Sequence, residues 1–312
     1  MRLVIGLALA GALSTAAYAA DNPDWAYPPI KPPKPGAADV IKTVPGSSQK
    51  YSAAQIDDAF NPPDWFPNEH PPMPNVVAHG GPKPAGRACA LCHLPSGDGH
   101  PESANLAGLP ADYMRRQVGL FKSGQRAGGA AGTMIGIVQV ISDADVQAAV
   151  SYYSKLKPRA GYGKVVEADT VPKSYVGDGG MRLPAKDGGT EPLGDRIIPL
   201  PQNVAEVLLR DPHAGFVYYV PRGSVAEGKA LVTTGGNGRT VPCGVCHGPK
   251  LQGSGEIPPL AGRAATYLFR QLNDIHANTR RGPGATMMRP VVANMTQHDM
   301  IAIAAYLQSL EP

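Results

Sequence analysis

Aromatic side chains are scarce in this chain: only 6% of its 312 residues are Phe, Trp or Tyr. Also missing is any stripe of like charge. The formal net charge is only +4 and the basic residues are scattered, which argues against a nucleic-acid partner. Beyond the first twenty residues no segment is apolar enough to span a bilayer, which needs about 20 apolar residues. Cysteine occurs only 4 times. No strand–helix–strand pattern flanks those cysteines, which removes the setting of a thioredoxin-like dithiol.

What is abundant is glycine and proline, 37 and 33 residues, clustered between regular segments. The chain opens MRLVIGLALAGALSTAAYAAD. Arg2 gives a positive start, Leu3 to Ala17 is an uncharged apolar run, and Ala17-Tyr18-Ala19 is an A-x-A cleavage signature. Residues 1–19 therefore read as a secretory signal peptide, and the mature protein as periplasmic. Removing Arg2 leaves a formal charge of +3. The remaining length suggests two domains.

Two short stretches then stand out, CALCH (Cys89 to His93) and CGVCH (Cys243 to His247), offset by 243 − 89 = 154 residues. The same offset pairs Leu106-Ala107-Gly108 with Leu260-Ala261-Gly262, Tyr113 with Tyr267, and Arg116-Gln117 with Arg270-Gln271. It also pairs Arg126 with Arg280, Met134 with Met288, and Tyr152 with Tyr306, without a gap from Cys89 to Pro158. One module is present twice. Each reads as three helices. Ser224 to Glu227 predicts a capping box for the first helix of the second module, and Ser52 to Gln55 a short counterpart in the first. The last helix of each module starts at a polar cap, Ser142 or Thr296, with Asp145 or Asp299 three residues later, and its apolar residues recur at i, i+3, i+4 and i+7.

This division gives a signal peptide (1–19), a Pro-rich N-terminal extension (20–78), a first module (79–158), a connector (159–223) and a second module (224–312). The connector reads as irregular, with room for one short β-hairpin from RIIPLP and GFVYYVP.

Cys-x-x-Cys-His is the attachment signature of c-type haem. Two thiols add across the two porphyrin vinyl groups, and the adjacent His reaches the iron. A zinc site would merge two self-contained repeats into one, and a Cys-x-x-Cys disulfide ring is small and strained. Cys89, Cys92 and His93 are thus expected to hold one covalently bound haem c, and Cys243, Cys246 and His247 a second. Met134 follows His93 by 134 − 93 = 41 residues, and Met288 follows His247 by 288 − 247 = 41. Both fall in Gly-rich stretches read as loops, placed to supply the sixth iron ligand and close the iron to substrates. His93, Met134, His247 and Met288 are then the iron ligands, and Met287, which aligns with Thr133, is not. No catalytic residue is expected. Haem would also fill the centre of modules whose own side chains form a marginal core.

With these motifs the chain resembles the class I cytochromes c, in particular the tandem di-haem cytochrome c4 type. The likeness covers roughly half the chain, Cys89 to Pro158 and Ser224 to Pro312. It implies an all-α fold of two haem domains. It also implies single-electron transfer between a dehydrogenase or quinol-oxidising donor and a terminal oxidase or reductase. Two other readings stay open, a cytochrome subunit of a dehydrogenase complex and a di-haem peroxidase or thiosulfate-oxidising enzyme. The partners expected are redox proteins, with peripheral association to a membrane complex allowed. In that family a proline after the haem motif offers its carbonyl to the proximal His. Pro259 matches it, whereas the first module has Asn105.

Arg126 and Arg280 are candidates either for haem propionate partners or for solvated loop residues. Tyr113 and Tyr267 are expected at a haem edge or on an ordinary helix face. His70, His79, His100, His213, His276 and His298 have no repeated counterpart and are expected mostly at the surface.

Overall fold

A computed structural model describes residues 22–29, 40–177 and 179–312; the expected signal peptide lies outside the described residues. A two-stranded antiparallel ribbon of β1 (Ile41–Lys42) and β2 (Tyr51–Ser52) leads into α1 (Ala53–Ile56). The expected Ser52–Gln55 capping box is present at α1. The long Pro-rich loop then buries Trp65, only 1% exposed, in a small core with Val44 and Ile56. Helix α2 (Asn75–Ala78) follows and packs on the first module.

The first module is α3 (Cys89–His93), α4 (Ala111–Lys122), α5 (Gly132–Val138) and α6 (Asp143–Tyr153). Helix α6 starts where Ser142 accepts the Asp145 N–H, and it packs across α4. Leu109, just before α4, joins Met114 of α4 and Val150 and Tyr153 of α6 in one buried cluster.

The connector is more regular than its composition suggests. It holds β3 (Gly163–Glu167), β4 (Thr170–Pro172), β5 (Ser174–Val176), β6 (Arg182–Pro184), β7 (Thr190–Pro192), β8 (Ile198–Pro201), α7 (Val204–Leu208) and β9 (Phe216–Val220). The two segments expected to form strands, β8 and β9, do pair antiparallel. However, β9 also pairs in parallel with β3, Gly163 beside Phe216 and Glu167 beside Val220, and β4–β7 and β5–β6 form two further ribbons. A parallel pair joins segments about fifty residues apart, and such pairing leaves little local pattern. In β9 the alternation is visible: Phe216, Tyr218 and Val220 are buried, and Val217 and Tyr219 are half-buried.

The second module is α8 (Ser224–Thr234), α9 (Gly244–His247), α10 (Ala265–His276), α11 (Pro283–Val292) and α12 (Gln297–Gln308). Helices α8 and α12 pack closely at Gly228, where a side chain would collide with the Ala302 carbonyl. Thr296 and Asp299 form the capping box of α12. The capping box expected at Ser224 is absent. Gly223, at φ +83°, makes the turn, Ser224 lies inside the helix, and the Val225 N–H donates to Glu167 of β3 at 2.8 Å. The connector sheet and the second module share one core containing Tyr162, Phe216, Tyr218, Phe269, Ile301 and Leu307.

Candidate functional site

The two Cys-x-x-Cys-His segments fold alike because the same backbone turns recur at the same offset. Positive φ angles occur at Leu94 and Gly248, Gly97 and Leu251, Gly99 and Gly253, and Gly108 and Gly262. The Gly99 N–H donates to the His93 carbonyl at 3.0 Å, and the Gly253 N–H to the His247 carbonyl at 2.9 Å. Each histidine is buried and pinned by one hydrogen bond. His93 Nδ1 donates to the Ala104 carbonyl and His247 Nδ1 to the Pro258 carbonyl, both at 2.8 Å. The acceptors are thus the residues just before Asn105 and Pro259, not those residues themselves as the sequence suggested. A carbonyl only accepts, so Nδ1 bears the proton and the Nε2 lone pair is left for a metal. Burial lowers both imidazole pKa values, against the raising effect of the carbonyl bond, which favours the neutral ligand form.

All four cysteines are free. Burial pushes the Cys89 thiol up to about 12 and the Cys243 thiol up to about 11. Cys92 is also raised by burial. These are protonated thiols at neutral pH, the opposite of the activated thiolate of a redox dithiol. Among the described residues no three His, Cys, Asp or Glu side chains are grouped to hold a metal ion.

The two methionines stand on helices, not in the loops expected for them. Met134 is in α5 and Met288 in α11. The flanking glycines and Pro283 lie at the first turns, where proline at the start of a helix is preorganised. Met288 packs on the core of the second module, whereas Met287 is 69% exposed.

In the first module Cys89, Cys92, His93 and Met134 all line one cavity of about 660 Å³. Its walls include apolar side chains such as Leu109, Met114, Val138 and Val150. The volume is that of an ordinary cofactor site, roughly 300–1,000 Å³. Two further features make one wall of this cavity polar. His100, expected at the surface, is instead buried against this cavity, and neither ring nitrogen has a partner among the described residues. Burial and the nearby Arg210 hold its pKa at about 3, so the ring is neutral. Arg126 and Arg270 are also buried on the cavity wall, and they donate only to neutral groups. Glu102 and Asp274 line the same cavity and are attracted to these arginines, so the wall carries charge of both signs beside the unpartnered His100.

Sequence reasoning left Arg126 and Arg280 undecided and missed what joins them. Each reaches across the boundary between the modules. Arg126 donates to Gln117 (3.0 Å), Gln271 (2.8 Å) and the Tyr267 hydroxyl (3.3 Å). Arg280 donates to Gln271 (3.0 Å), Gln117 (3.2 Å) and the Tyr113 hydroxyl (3.0 Å). The two arginines also form an antiparallel backbone bridge. Every member has its counterpart 154 residues away, so the modules meet about a local two-fold axis, each surface complementing its copy. The repeat offset was the available signal: equivalent polar residues on equivalent faces satisfy one another across such an axis. Other ties break the symmetry: Thr266 and Arg270 both donate to the Pro101 carbonyl. Arg263 donates to the Asn105 side chain (2.7 Å), the Asn105 carbonyl (3.2 Å) and the Ala107 carbonyl (3.1 Å). Asn105 is therefore one of the points where the second module docks onto the first.

Two modules with matched Cys-x-x-Cys-His cradles define a class, the tandem class I electron-transfer proteins that bind haem c covalently. Residues 225–311 match the family model described as Cytochrome c. The chain is 37% identical over 70 residues to cytochrome c-554(548) of Halomonas halodenitrificans, covering 22% of this chain and 84% of that protein. It is 29% identical over 235 residues to a thiosulfate dehydrogenase electron acceptor of Thiomonas intermedia, covering 73% of this chain and 82% of that protein. It is 25% identical over 234 residues to cytochrome c4 of Azotobacter vinelandii, covering 71% and 84% of the respective chains. The chain belongs to the cytochrome c family. It is an electron carrier rather than an enzyme. No helix among the described residues is long and apolar enough to cross a membrane.

Proposed function

We propose that this protein is a periplasmic di-haem cytochrome that passes single electrons between a dehydrogenase or quinol-oxidising donor and a terminal oxidase or reductase. The observation that carries the proposal is the repeated cradle: two Cys-x-x-Cys-His segments whose histidines are pinned by the same carbonyl register, Ala104 and Pro258. Cys89 and Cys92 would anchor one haem and Cys243 and Cys246 the other. His93 with Met134, and His247 with Met288, would be the axial ligands. When bound, the haem supplies one-electron chemistry, at a potential raised by thioether ligation.

The protein's own part is to hold and insulate. The Ala104 and Pro258 carbonyls orient the imidazoles and raise their basicity. The apolar wall excludes water. Arg126, Arg270 and the neutral His100 offer charge and hydrogen bonds to the propionate edge. Tyr267 and Gln271 of the second module line the cavity of the first, which supports electron passage between the sites over a short path.

A second reading, that the protein is the electron-accepting subunit of a dehydrogenase complex, is favoured by its similarity to the thiosulfate dehydrogenase electron acceptor of Thiomonas intermedia. Stable co-purification with a catalytic subunit would select it over a free carrier.

The deciding experiment is a spectroelectrochemical titration of wild type, Met134→Ala and Met288→Ala, following the methionine–iron charge-transfer band. Each variant is expected to lose half of the band. An undiminished band in either one refutes that axial assignment.

A further inference from the structure

Matched positions of the two cradles differ sharply in what surrounds them. Leu91 and Val245 precede the second cysteine of each motif, yet Leu91 is 7% exposed and Val245 is 73% exposed. Cys92 is half-buried and Cys246 is exposed. The Ala-Leu and Gly-Val spacers do not explain this, since both are apolar and both lie on the same turn. The difference is what lies over them.

Over the first cradle sits the end of the connector. Val207, Leu208 and Arg210 line the same cavity as Cys92, and so do Gly179 and Met181 from the turn between β5 and β6. Arg210 fastens this segment down. Its backbone is left-handed, at φ +57°. Its side chain donates to the Leu91 carbonyl, inside the Cys-x-x-Cys loop itself, at 2.9 Å, and to the Ile56 carbonyl at 2.9 Å. It also lies 3.8 Å from Asp57. A second fastening comes from the Pro-rich extension. The buried Trp65 donates its indole N–H to the Leu209 carbonyl at 2.7 Å, and Leu209 packs on the Val44–Ile56–Trp65 cluster. At the second cradle the matching side is open, with Val241 and Val245 both exposed.

We infer that the α7–Arg210 segment, locked by Trp65, is a built-in cover over the Cys92 side of the first cradle, closing the first haem to solvent and to redox partners and leaving the second as the one presented to them. This rests on the two-haem reading above. A cover of this kind explains why the connector and the Pro-rich loop both converge on one module. A connector that only tethers has no need to hydrogen-bond the haem-binding loop or to bury a tryptophan behind that contact. It also gives the first site a lower local dielectric than the second.

The test uses the full holoprotein. The pyridine haemochrome and the low-spin spectrum are recorded first: fewer than two haems per chain defeats the two-haem reading, not the cover. In the oxidised protein, the haem methyl proton signals are then assigned to the two sites with Met134→Ala and Met288→Ala. Their broadening by a neutral gadolinium chelate is measured. The second-site methyls are expected to broaden several-fold more than those of the first. Equal broadening in the wild type overturns the proposal. In the double variant Arg210→Ala with Trp65→Phe, first-site broadening is expected to rise toward that of the second site while second-site broadening stays constant. A folded variant whose first-site signals stay protected also overturns it. If the variant does not fold, the wild-type comparison alone decides.

Discussion

The two cradles have one backbone and two environments. Their turns, histidine anchors and methionine registers superpose by the 154-residue offset, while their surroundings do not. The first is closed in by the Pro-rich extension, the connector and Arg263. The second shares a large core with the connector sheet and keeps its cysteine loop exposed. A duplicated module thus keeps what its ligand demands and diverges where chain was inserted around it.

The strongest way to break this comparison is to replace the two cysteines of one motif at a time. The apolar side chains that line the first cavity would be covered by the cofactor, and a domain of this size buries only a marginal core without it. Cys89→Ala with Cys92→Ala is expected to halve the haemochrome absorbance and abolish the cooperative melt of the first module in circular dichroism. Cys243→Ala with Cys246→Ala is expected to lose as much haem but to retain the connector sheet, because that sheet's core has its own aromatic residues. A chain with all four cysteines replaced should show no cooperative native-like melt.

Next in size is the boundary between the modules. Arg126→Ala and Arg280→Ala should each cost about 1–3 kcal/mol in urea denaturation, since each removes one of two donors to Gln117 and Gln271 and leaves one tyrosine hydroxyl, Tyr267 or Tyr113, without its arginine. They share Gln117 and Gln271, so the double variant should depart from additivity by about 1 kcal/mol or more. Arg263→Ala, which uses different partners, should add independently to Arg126→Ala. Strict additivity of the symmetric pair would dissolve the two-fold network.

A smaller effect separates Asn105 from Pro259. Asn105→Ala removes an acceptor of Arg263 and should cost about 1–2 kcal/mol. Pro259→Ala should cost about 0.5–1 kcal/mol, through a freer unfolded chain. Equal losses would mean that Asn105 has no docking role.

The smallest effect joins the second module to the connector. Both His298 ring nitrogens face carboxylates, Asp195 at 3.0 Å and Glu227 at 2.9 Å, so the imidazolium is the form that satisfies them. Its pKa is raised, first by the Asp195 hydrogen bond and also by that of Glu227, against partial desolvation. The stabilisation is complete below the unfolded value of about 6.5 and fades as pH rises through the higher folded value. The side chain is 42% exposed, so screening holds the gain below about 1 kcal/mol. Stability of wild type minus His298→Gln, measured from pH 5 to 9, should fall with rising pH; a flat difference removes this ion pair from the account.

Much of the helical frame was legible in the chain. The capping pairs Ser52–Gln55 and Thr296–Asp299 and the apolar period of α6 and α12 are local signals, and they read correctly. The Ser224 cap misled because its match is also local, whereas the group that completes the helix start, Glu167, comes from another element. His100 was read as exposed because nothing in its neighbours shows the wall that later closes over it. Strand β3 was invisible because it pairs in parallel with a segment about fifty residues away.

By itself, the sequence determined the covalent chemistry and the internal repeat, because thiol spacing, the adjacent histidine and a constant offset are properties of linear order. Tertiary structure alone decided which carbonyl holds each histidine, how Arg126 and Arg280 interlock, and which cradle is covered. Those outcomes depend on burial and on hydrogen bonds between residues far apart in sequence. Such contacts form only when the chain packs, where leaving a buried polar group unpaired costs more than any local preference can offset.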